Sequence, residues 1–354
     1  ALGEFYTNEN LVRKVLDESG FKDVSIIKWL KEDGYILDPA CGSGTFLVEV
    51  IRRIAEIRCP EIPDDKKLDI ILKRVVGIDI HPFAVTMARV NYLLALYRFF
   101  KVKDIPRDIP IFWFDSLTTR AQTLRNEVQM EIPGIGLKFL LPDPSVVDIV
   151  KLLDLVEIGI QNNWSERTFQ YHLTVKRSID PAYIGTALIL YKQILTEHKK
   201  GNDLRWLPML KNLGRIFALH GKCSYVFGNP PWVRIHRIGK NIIQKLKQNY
   251  DTFKTKGYDV RLKKTVVPFR IQYDYSMAFV EAGLTRYLAK GGRLGFVITA
   301  KILSALYADA LRAMILRNNT LVYIADYSLY PIELFKEATN YPAIIVVEKK
   351  TPVN

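Results

Sequence analysis

The chain has 354 residues, 49% hydrophobic and 25% charged, which is typical of a folded soluble protein with one large domain or two smaller ones. It contains no run of about 18 uncharged apolar residues and begins without a basic leader, so we expect neither a transmembrane helix nor a signal peptide. Three unevenly spaced cysteines fit neither a disulfide framework nor a zinc site and indicate a reducing, cytoplasmic location, while the net charge of +14 favours a polyanionic partner.

Hydrophobic periodicity predicts an alternation of strands and helices along most of the chain. The predicted elements are, in order, a helix at 11–19, a strand at 35–37, a helix at 44–53, a strand at 74–80, a helix at 82–100, strands at 109–114 and 225–228, a helix at 276–288, a strand at 294–299, a helix at 303–316, and strands at 321–327 and 343–348. Such an alternation predicts a doubly wound α/β fold with a mostly parallel sheet. Because no helix joins the last two strands, we expect the final strand to run antiparallel.

Two segments interrupt this alternation. Residues 117–222 are too many for a loop, and helical periodicity at 146–159, 183–198 and 204–220 predicts a helical insertion. Residues 233–272 form a basic loop, since Arg234 to Arg270 contain eleven lysines or arginines and only two acids. Lysines and arginines interleaved with aromatic residues are typical of a surface that binds nucleic-acid phosphates. The alternative is an ordinary solvated basic loop.

A stiff turn follows the predicted strand at 225–228. It reads Asn229-Pro230-Pro231-Trp232, and each proline fixes φ and lacks an N–H, so the backbone is extended and rigid. Such a turn holds the amide oxygen of Asn229, the carbonyl of Pro230 and the ring of Trp232 in place. Two acceptors and a stacking face suit a planar exocyclic amine. The alternative is a proline turn that merely ends a strand.

A glycine-containing loop, Asp38 to Thr45, follows the first predicted strand and enters a helix. Gly42 and Gly44 allow a tight turn and a close approach of the backbone to a ligand. The third glycine of dinucleotide-binding loops is absent, which argues against a pyrophosphate site. Asp38 at the mouth of the loop would repel phosphate and attract an ammonium group.

Two further acids end predicted strands. Asp79 can accept hydrogen bonds from both ribose hydroxyls or cap the helix that begins at Pro82, and Asp115 can bind an adenine amino group or cap a turn. In a parallel sheet these strand ends, with Asp38 and Asn229, converge on one crevice. A cationic adenosine ligand that carries an ammonium group and no pyrophosphate fits this set, and S-adenosylmethionine (SAM) is such a ligand.

These motifs resemble those of amino-group DNA methyltransferases of the adenine-N6 type, from restriction–modification systems. The match runs through Phe5–Thr7, Asp38–Phe46, Asp79, Asp115, Asn229–Trp232, Gly292–Thr299 and Phe335–Glu348. The resemblance implies a Rossmann-like SAM-dependent methyltransferase fold across 1–354, with a mostly parallel seven-stranded sheet, an antiparallel last strand and the helical insertion. It also implies SAM as methyl donor, double-stranded DNA as partner and no metal.

The resemblance implies a role for each matching residue. The residues expected to bind SAM are Phe5, Tyr6 and Thr7 over the methionine end, Asp38, Ala40, Gly42 and Gly44 in the loop, Asp79 at the ribose and Asp115 at the adenine. The residues expected to act on the target base are Asn229 and Pro230 at the amine, Pro231 in the rigid turn, and Trp232 and Phe335 on the two faces of the ring. The residues expected to contact DNA are Arg234, Arg237 and Lys240. Phe335 has an alternative as an ordinary core residue.

Other functions remain compatible with these motifs. The same turn serves methylation of an RNA base or of a protein glutamine, although the basic loop argues against a small protein substrate. A non-catalytic binding module that retains the fold is a second alternative, and the catalytic fragment of a fused restriction–modification enzyme a third. No target-recognition domain is visible after Glu348, so we expect recognition to need residues or a subunit outside this chain, with a restriction endonuclease as a further partner.

Overall fold

The computed structural model describes residues 7–102, 106, 108–117, 122–124, 127–131, 136–144, 146–175, 179–202, 204–234, 238–254, 257–259, 264–266, 273–328 and 341–352. Four residues with predicted binding roles, Phe5, Tyr6, Arg237 and Phe335, lie outside the described residues.

Strands and helices alternate along the first part of the chain and again after the insertion. The strands of the described residues are β1 (Tyr35–Asp38), β2 (Val75–Asp79), β3 (Ile111–Trp113), β4 (Gln122–Leu124), β5 (Glu127–Glu131), β6 (Lys138–Pro142), β7 (Cys223–Gly228), β8 (Gly257–Asp259), β9 (Lys264–Val266), β10 (Leu288–Thr299), β11 (Thr320–Asp326) and β12 (Pro342–Glu348). The α-helices are α1 (Glu9–Glu18), α2 (Asp23–Lys31), α3 (Thr45–Glu56), α4 (Asp64–Arg74), α5 (Pro82–Phe100), α6 (Ile149–Gln161), α7 (Glu166–Val175), α8 (Ile184–Lys199), α9 (Leu207–Phe217), α10 (Lys240–Asn249), α11 (Ser276–Ala282), α12 (Lys301–Ser304) and α13 (Asp309–Asn318). None of these helices has the length and apolarity needed to cross a bilayer.

The chain divides into two compact units, Ala1–Thr118 with Gly221–Asn354, and Thr119–His220. The first unit is built on a seven-stranded sheet of order β11-β12-β10-β7-β1-β2-β3. Strands β10, β7, β1, β2 and β3 pair in parallel, whereas β12 runs antiparallel to both β10 and β11. The predicted fold class, with its mostly parallel seven-stranded sheet and antiparallel last strand, is therefore confirmed.

The strand order reverses beside β1, and this reversal positions the site. The chain runs from β1 outward through β2 to β3, and the later strands β7 and β10 are added on the other side of β1. Connections then leave β1 and β7 in opposite directions, which opens a crevice outside their carboxyl ends. Asp38 is the last residue of β1, and Asn229 follows the last residue of β7.

Helices cover both faces of this sheet. On one face, α1 to α5 form a single buried cluster with alternate strand residues such as Ile36, Phe227 and Ile344. On the other face, Gly283, in the turn that continues α11, lies against Val226 and Leu294. Strand β12, next to the edge strand β11, is buried from Pro342 to Val347, as expected for a strand covered on both faces.

Several elements differ from the sequence predictions. Helices α2 and α4 were not predicted: α4 buries only Lys67 and Ile71, whereas α2 buries Ile26, Trp29 and Leu30 at helical spacing, a signal that the prediction overlooked. The predicted helix at 303–316 is divided into α12 and α13, because Ala305 adopts an extended conformation with ψ 141°. The strand predicted at 294–299 begins earlier, at Leu288, which is the last residue of the helix predicted at 276–288.

The second unit contains both helices and strands. Its helices are α6 to α9, and its strands β4, β5 and β6 form an antiparallel sheet that the prediction of a helical insertion missed. The unit has its own core, in which Phe139 stacks on Trp206 at 4.8 Å and Phe169 stacks on Tyr191 at 4.1 Å. Strands as short as these carry little periodic signal, whereas the helices show a clear apolar face.

Candidate active site

The loop after β1 and the turn after β7 meet directly. Asp38 is 2% exposed, and a Cβ placed on Gly228 would lie 2.9 Å from its Oδ1 atom. Gly228 immediately precedes Asn229, so the absence of a side chain there lets the carboxylate lie against the start of the turn. The glycine loop and the Asn229 turn therefore share one wall of the crevice.

Asp38 is a buried acid beside another acid. Burial raises the pKa of its carboxyl group well above the usual value, and the nearby charge of Asp79 raises it further. The backbone N–H of Ala40 donates to Asp38 Oδ1 at 3.1 Å and offsets part of this effect. A positively charged ligand group would relieve the cost of the buried charge, whereas a phosphate would increase it.

Asp79 holds the glycine loop in its conformation. The N–H of Gly42 donates to Asp79 Oδ2 at 2.9 Å, and the N–H of His81 donates to Oδ1 at 2.8 Å. The second bond closes a local turn before α5 and is not the helix cap considered as the alternative to a ribose contact, because the N-cap residue of α5 is His81 and no side chain caps that helix. A ribose contact can coexist with both bonds, since a carboxylate has about four acceptor sites.

The glycine loop leaves room for a ligand at Gly42. Gly42 and Gly44 have φ of 53° and 84°, in the region that favours glycine. A Cβ on Gly44 would contact Ala88 on α5, whereas the Cβ position on Gly42 has no atom within 4 Å. The loop is further held by Asn91, whose Nδ2 donates to the carbonyl of Ser43 at 2.8 Å. Asn91 was not predicted as part of the site, because no local motif in the sequence distinguishes it.

Asp115 lies in a segment bound to the same loop. Its Oδ1 accepts from the N–H of Leu117 at 2.9 Å, which is the turn-capping contact considered for this residue. Next to it, Ser116 Oγ donates to the carbonyl of Pro39 at 2.8 Å. Burial raises the pKa of Tyr275, and the charge of Asp115 adds to that shift, so the two side chains are close.

Asn229 is bound through one end of its amide only. Its Nδ2 donates to Thr7 Oγ1 at 3.2 Å, a contact between residues 222 positions apart. Its Oδ1 is buried and has no hydrogen-bond partner in the part of the chain that the structure describes. Buried acceptors are nearly always paired, so this oxygen is a strong candidate for a ligand contact.

The other residues of the turn are less accessible than the sequence analysis expected. Pro230 is buried and Pro231 half-buried. Trp232 is only 5% exposed and belongs to the buried cluster that α1 to α5 form with the sheet. The accessible stacking face expected for Trp232 is therefore covered in this structure, because the apolar ring is packed into the core.

A buried acid that the sequence analysis missed supports the end of the turn. Asp274 is 5% exposed, forms an isolated antiparallel bridge with Arg234, and accepts from the N–H of Ser276 at 2.9 Å. Burial raises its pKa to about 6, against the opposing hydrogen bonds from Ser276 and the charges of Lys301 and Arg234. No local motif in the sequence distinguishes Asp274, because the N-cap residue of α11 is Tyr275 and no side chain caps that helix.

Part of the predicted basic loop is a helix. α10 (Lys240–Asn249) buries Leu246 and exposes Lys240 and Lys245. The segment after it is anchored to the sheet unit, because Tyr250 donates to the carbonyl of Leu117 at 2.8 Å and the N–H of Asp251 donates to Glu281 at 2.7 Å. Exposed Arg234, Lys240 and Lys245 therefore lie on a segment whose following residues are anchored by these hydrogen bonds.

Comparison with known proteins identifies the family of this arrangement. The family model described as Eco57I restriction-modification methylase matches residues 73–332, and that of the MmeI DNA-methyltransferase domain matches residues 26–105. The Type II methyltransferase M.BstVI of Geobacillus stearothermophilus is 31% identical over 130 residues, which are 36% of this chain and 20% of that protein. M.XhoI of Xanthomonas vasicola gives the same identity and coverage.

Solved structures share the fold at low sequence identity. A nuclease-deletion mutant of the Type ISP restriction-modification enzyme LlaGI, in complex with a DNA substrate mimic, has a TM-score of 0.55 and 15% identity, covering 99% of this chain and 23% of that one. The DNA-bound Type ISP enzyme LlaBIII has a TM-score of 0.56 and 13% identity, covering 99% of this chain and 19% of that one. The chain spans about a fifth of the length of the curated relatives. Because the first family model covers more than half of the chain, the chain belongs to the Eco57I restriction-modification methylase family.

Proposed function

We propose that the chain transfers a methyl group from SAM to the N6 amino group of adenine in DNA, as the modification part of a restriction–modification system. The observation that carries this proposal is the buried Oδ1 of Asn229, which has no partner among the described residues and lies on the turn beside Asp38. An amide acceptor held in this way suits an amine donor, and family membership supplies DNA as the source of that amine.

The residues of the turn would make the amine reactive. The lone pair of an adenine N6 atom is delocalised into the ring, which makes it a poor nucleophile. Asn229 Oδ1 and the carbonyl of Pro230 would each accept a hydrogen bond from one N–H group of this amine. These two bonds would favour a tetrahedral nitrogen and stabilise the positive charge that develops on it. SAM supplies an already activated methyl group on its sulfonium. The chain therefore contributes positioning more than acid–base chemistry.

The residues around the glycine loop fit SAM. The buried Asp38 carboxylate would receive the ammonium group, the open space at Gly42 would admit the ligand, and Asp79 would bind the ribose. Asp115, near the end of β3, would bind the adenine of SAM. Thr7 reaches this crevice through its contact with Asn229.

The DNA must present the target base outside the duplex. Extruding a nucleotide costs a few kcal/mol of stacking and pairing. Trp232 could offset part of this cost by stacking on the base only if its ring left the buried cluster. We therefore propose that, before the base enters, Trp232 supports the turn by packing beneath it. Arg234, Lys240 and Lys245 are exposed and would contact phosphates. Recognition of a sequence and cleavage of DNA are assigned to parts of a longer protein, or to partner subunits.

Replacement of Asn229 tests the proposal. We expect Asn229→Ala to bind SAM with nearly unchanged affinity while the rate of methyl transfer falls by at least about a hundredfold. The variant lacks the hydrogen-bond acceptor that stabilises the positive charge on the amine in the transition state. SAM affinity is measured by calorimetry. Transfer is measured with labelled SAM and unmethylated genomic duplex DNA, and the modified base is identified by mass spectrometry.

The control is Asn319→Ala. Asn319 is 6% exposed and precedes β11, at the edge of the sheet opposite the crevice, so its loss should leave transfer unchanged. Undiminished transfer by Asn229→Ala would remove Asn229 from catalysis. A product other than N6-methyladenine, or transfer to RNA and not to DNA, would overturn the assigned substrate.

A further inference from the structure

The contact between Thr7 and Asn229 joins two distant parts of the chain at the reacting end of the site. Asn229 Nδ2 donates to Thr7 Oγ1 at 3.2 Å, and Thr7 is 8% exposed. The other end of the same amide, Oδ1, is buried without a hydrogen-bond partner among the residues described. A carboxamide has one donor end and one acceptor end, so fixing the donor end also fixes the direction of the acceptor.

Thr7 is itself held in place by the start of α1. The next residue, Asn8, caps this helix by accepting from the N–H of Asn10 at 2.8 Å. α1 packs closely over β10, where a Cβ on Gly295 would lie 2.9 Å from Cγ1 of Val15. The hydroxyl that meets Asn229 is thus attached to a helix anchored on the sheet.

We propose that Thr7 is a positioning residue for catalysis, and that its hydroxyl orients the Asn229 amide so that Oδ1 faces the target amine. Without this hydroxyl the amide can rotate and present its NH2 end, which repels an amine donor. This inference rests on the proposed function. It differs from the role that the family resemblance implies for Thr7, which is a contact with the methionine end of SAM.

The two roles of Thr7 predict different kinetics. A positioning role predicts that its removal lowers kcat and leaves SAM affinity unchanged, because the lost interaction acts only on the reacting amine. A SAM contact predicts the opposite, with weaker SAM binding and an unchanged kcat once SAM is saturating. The hydroxyl of serine can replace that of threonine in the first role, whereas the isosteric valine cannot.

The experiment compares Thr7→Val, Thr7→Ser and Thr285→Val with the wild-type chain, using labelled-methyl transfer to unmethylated duplex DNA at saturating SAM. We expect Thr7→Val to lower kcat by about tenfold and Thr7→Ser to restore it to within about threefold of wild type. SAM affinity by calorimetry should not change. Thr285→Val, which removes a hydroxyl that donates to the carbonyl of Glu281 at 2.7 Å, controls for the loss of a threonine hydrogen bond elsewhere in the unit.

A double variant adds a second criterion. If Thr7 acts through Asn229, Thr7→Val combined with Asn229→Ala should be no slower than Asn229→Ala alone. Wild-type kcat in Thr7→Val, or a loss confined to SAM affinity, would overturn the positioning role and leave the proposed function intact. Absence of transfer by the wild-type chain, assayed together with the segment or subunit that supplies recognition, would overturn the proposed function and this inference with it.

Discussion

Asp38 shows that the proposed site is built at the expense of stability. A carboxylate that is 2% exposed and close to a second acid has its pKa raised well above the usual value, mainly by burial. For such an acid the folded protein binds a proton more tightly than the unfolded chain does. The free energy of unfolding therefore falls as pH rises above 3.8, through the raised pKa.

Asp38→Asn should accordingly make the SAM-free chain more stable near neutral pH, because it removes the cost of burying a charge while Oδ1 can still accept from the N–H of Ala40. The gain should shrink as pH falls toward 4, where Asp38 in both states becomes protonated. Melting temperatures at several pH values measure this effect. The same variant should lose most of the thermal stabilisation by added SAM, and a variant less stable than wild type at pH 7.5 would contradict the account.

Helix α5 carries apolar residues on two faces, and only one of these faces is buried. Ala88, Tyr92 and Leu96 are buried against the sheet unit, whereas Val90 and Leu94 are 45% and 59% exposed. Sequence periodicity identifies an amphipathic helix by contrast between its faces, and α5 offers little contrast. The helix was predicted correctly, but only the packing shows which of its leucines belongs to the core.

Leu96→Ala and Leu94→Ala form a matched pair that tests this assignment. We expect the first to lower the free energy of unfolding by about 2–5 kcal/mol, as for a fully buried leucine, and the second to change it by about 0.5 kcal/mol or less. Urea denaturation followed by circular dichroism measures both. Equal effects of the two substitutions would show that the buried face of α5 is misassigned.

One arginine of the sheet unit contacts the residues on both flanks of the insertion. The Arg286 guanidinium donates to the carbonyls of Ser116 and Leu117 at 2.9 and 3.2 Å, and its own carbonyl accepts from the N–H of Gly221 at 2.8 Å. The two flanks of the insertion therefore both lie within hydrogen-bonding distance of a single residue of the sheet unit. A short connection closes such a gap at low entropic cost.

We expect a variant in which a short glycine–serine linker replaces residues 119–220 to retain the seven-stranded unit. It should unfold cooperatively and should protect the amides of β1, β7 and β10 from hydrogen exchange. A second variant carries a linker twice as long. If only this variant folds, strain in the short linker, and not the absence of the insertion, explains the failure of the first. Failure of both variants to fold would show that the sheet unit depends on the insertion.

Local sequence motifs identified several residues of the candidate site. The rigid Asn229 turn, the glycines after Asp38 and the acid at the end of β2 are recognisable in the sequence, because their chemistry depends on neighbouring residues and on the strand they follow. The alternation of strands and helices likewise predicted the sheet class and the antiparallel last strand, both of which the structure confirms. Short strands such as β4 to β6 lack enough periodic residues to be predicted in the same way.

Contacts between distant segments were decided only by the tertiary structure. Strand order and helix packing bring Thr7 to Asn229 and Asp38 to Gly228, and they cover Trp232. Hydrophobic periodicity predicts which residues are buried, but it does not predict which buried residues are in contact with each other. The sequence by itself therefore determined the chemical groups and the strand ends that carry them, and the packing of the sheet determined which of those groups face one another.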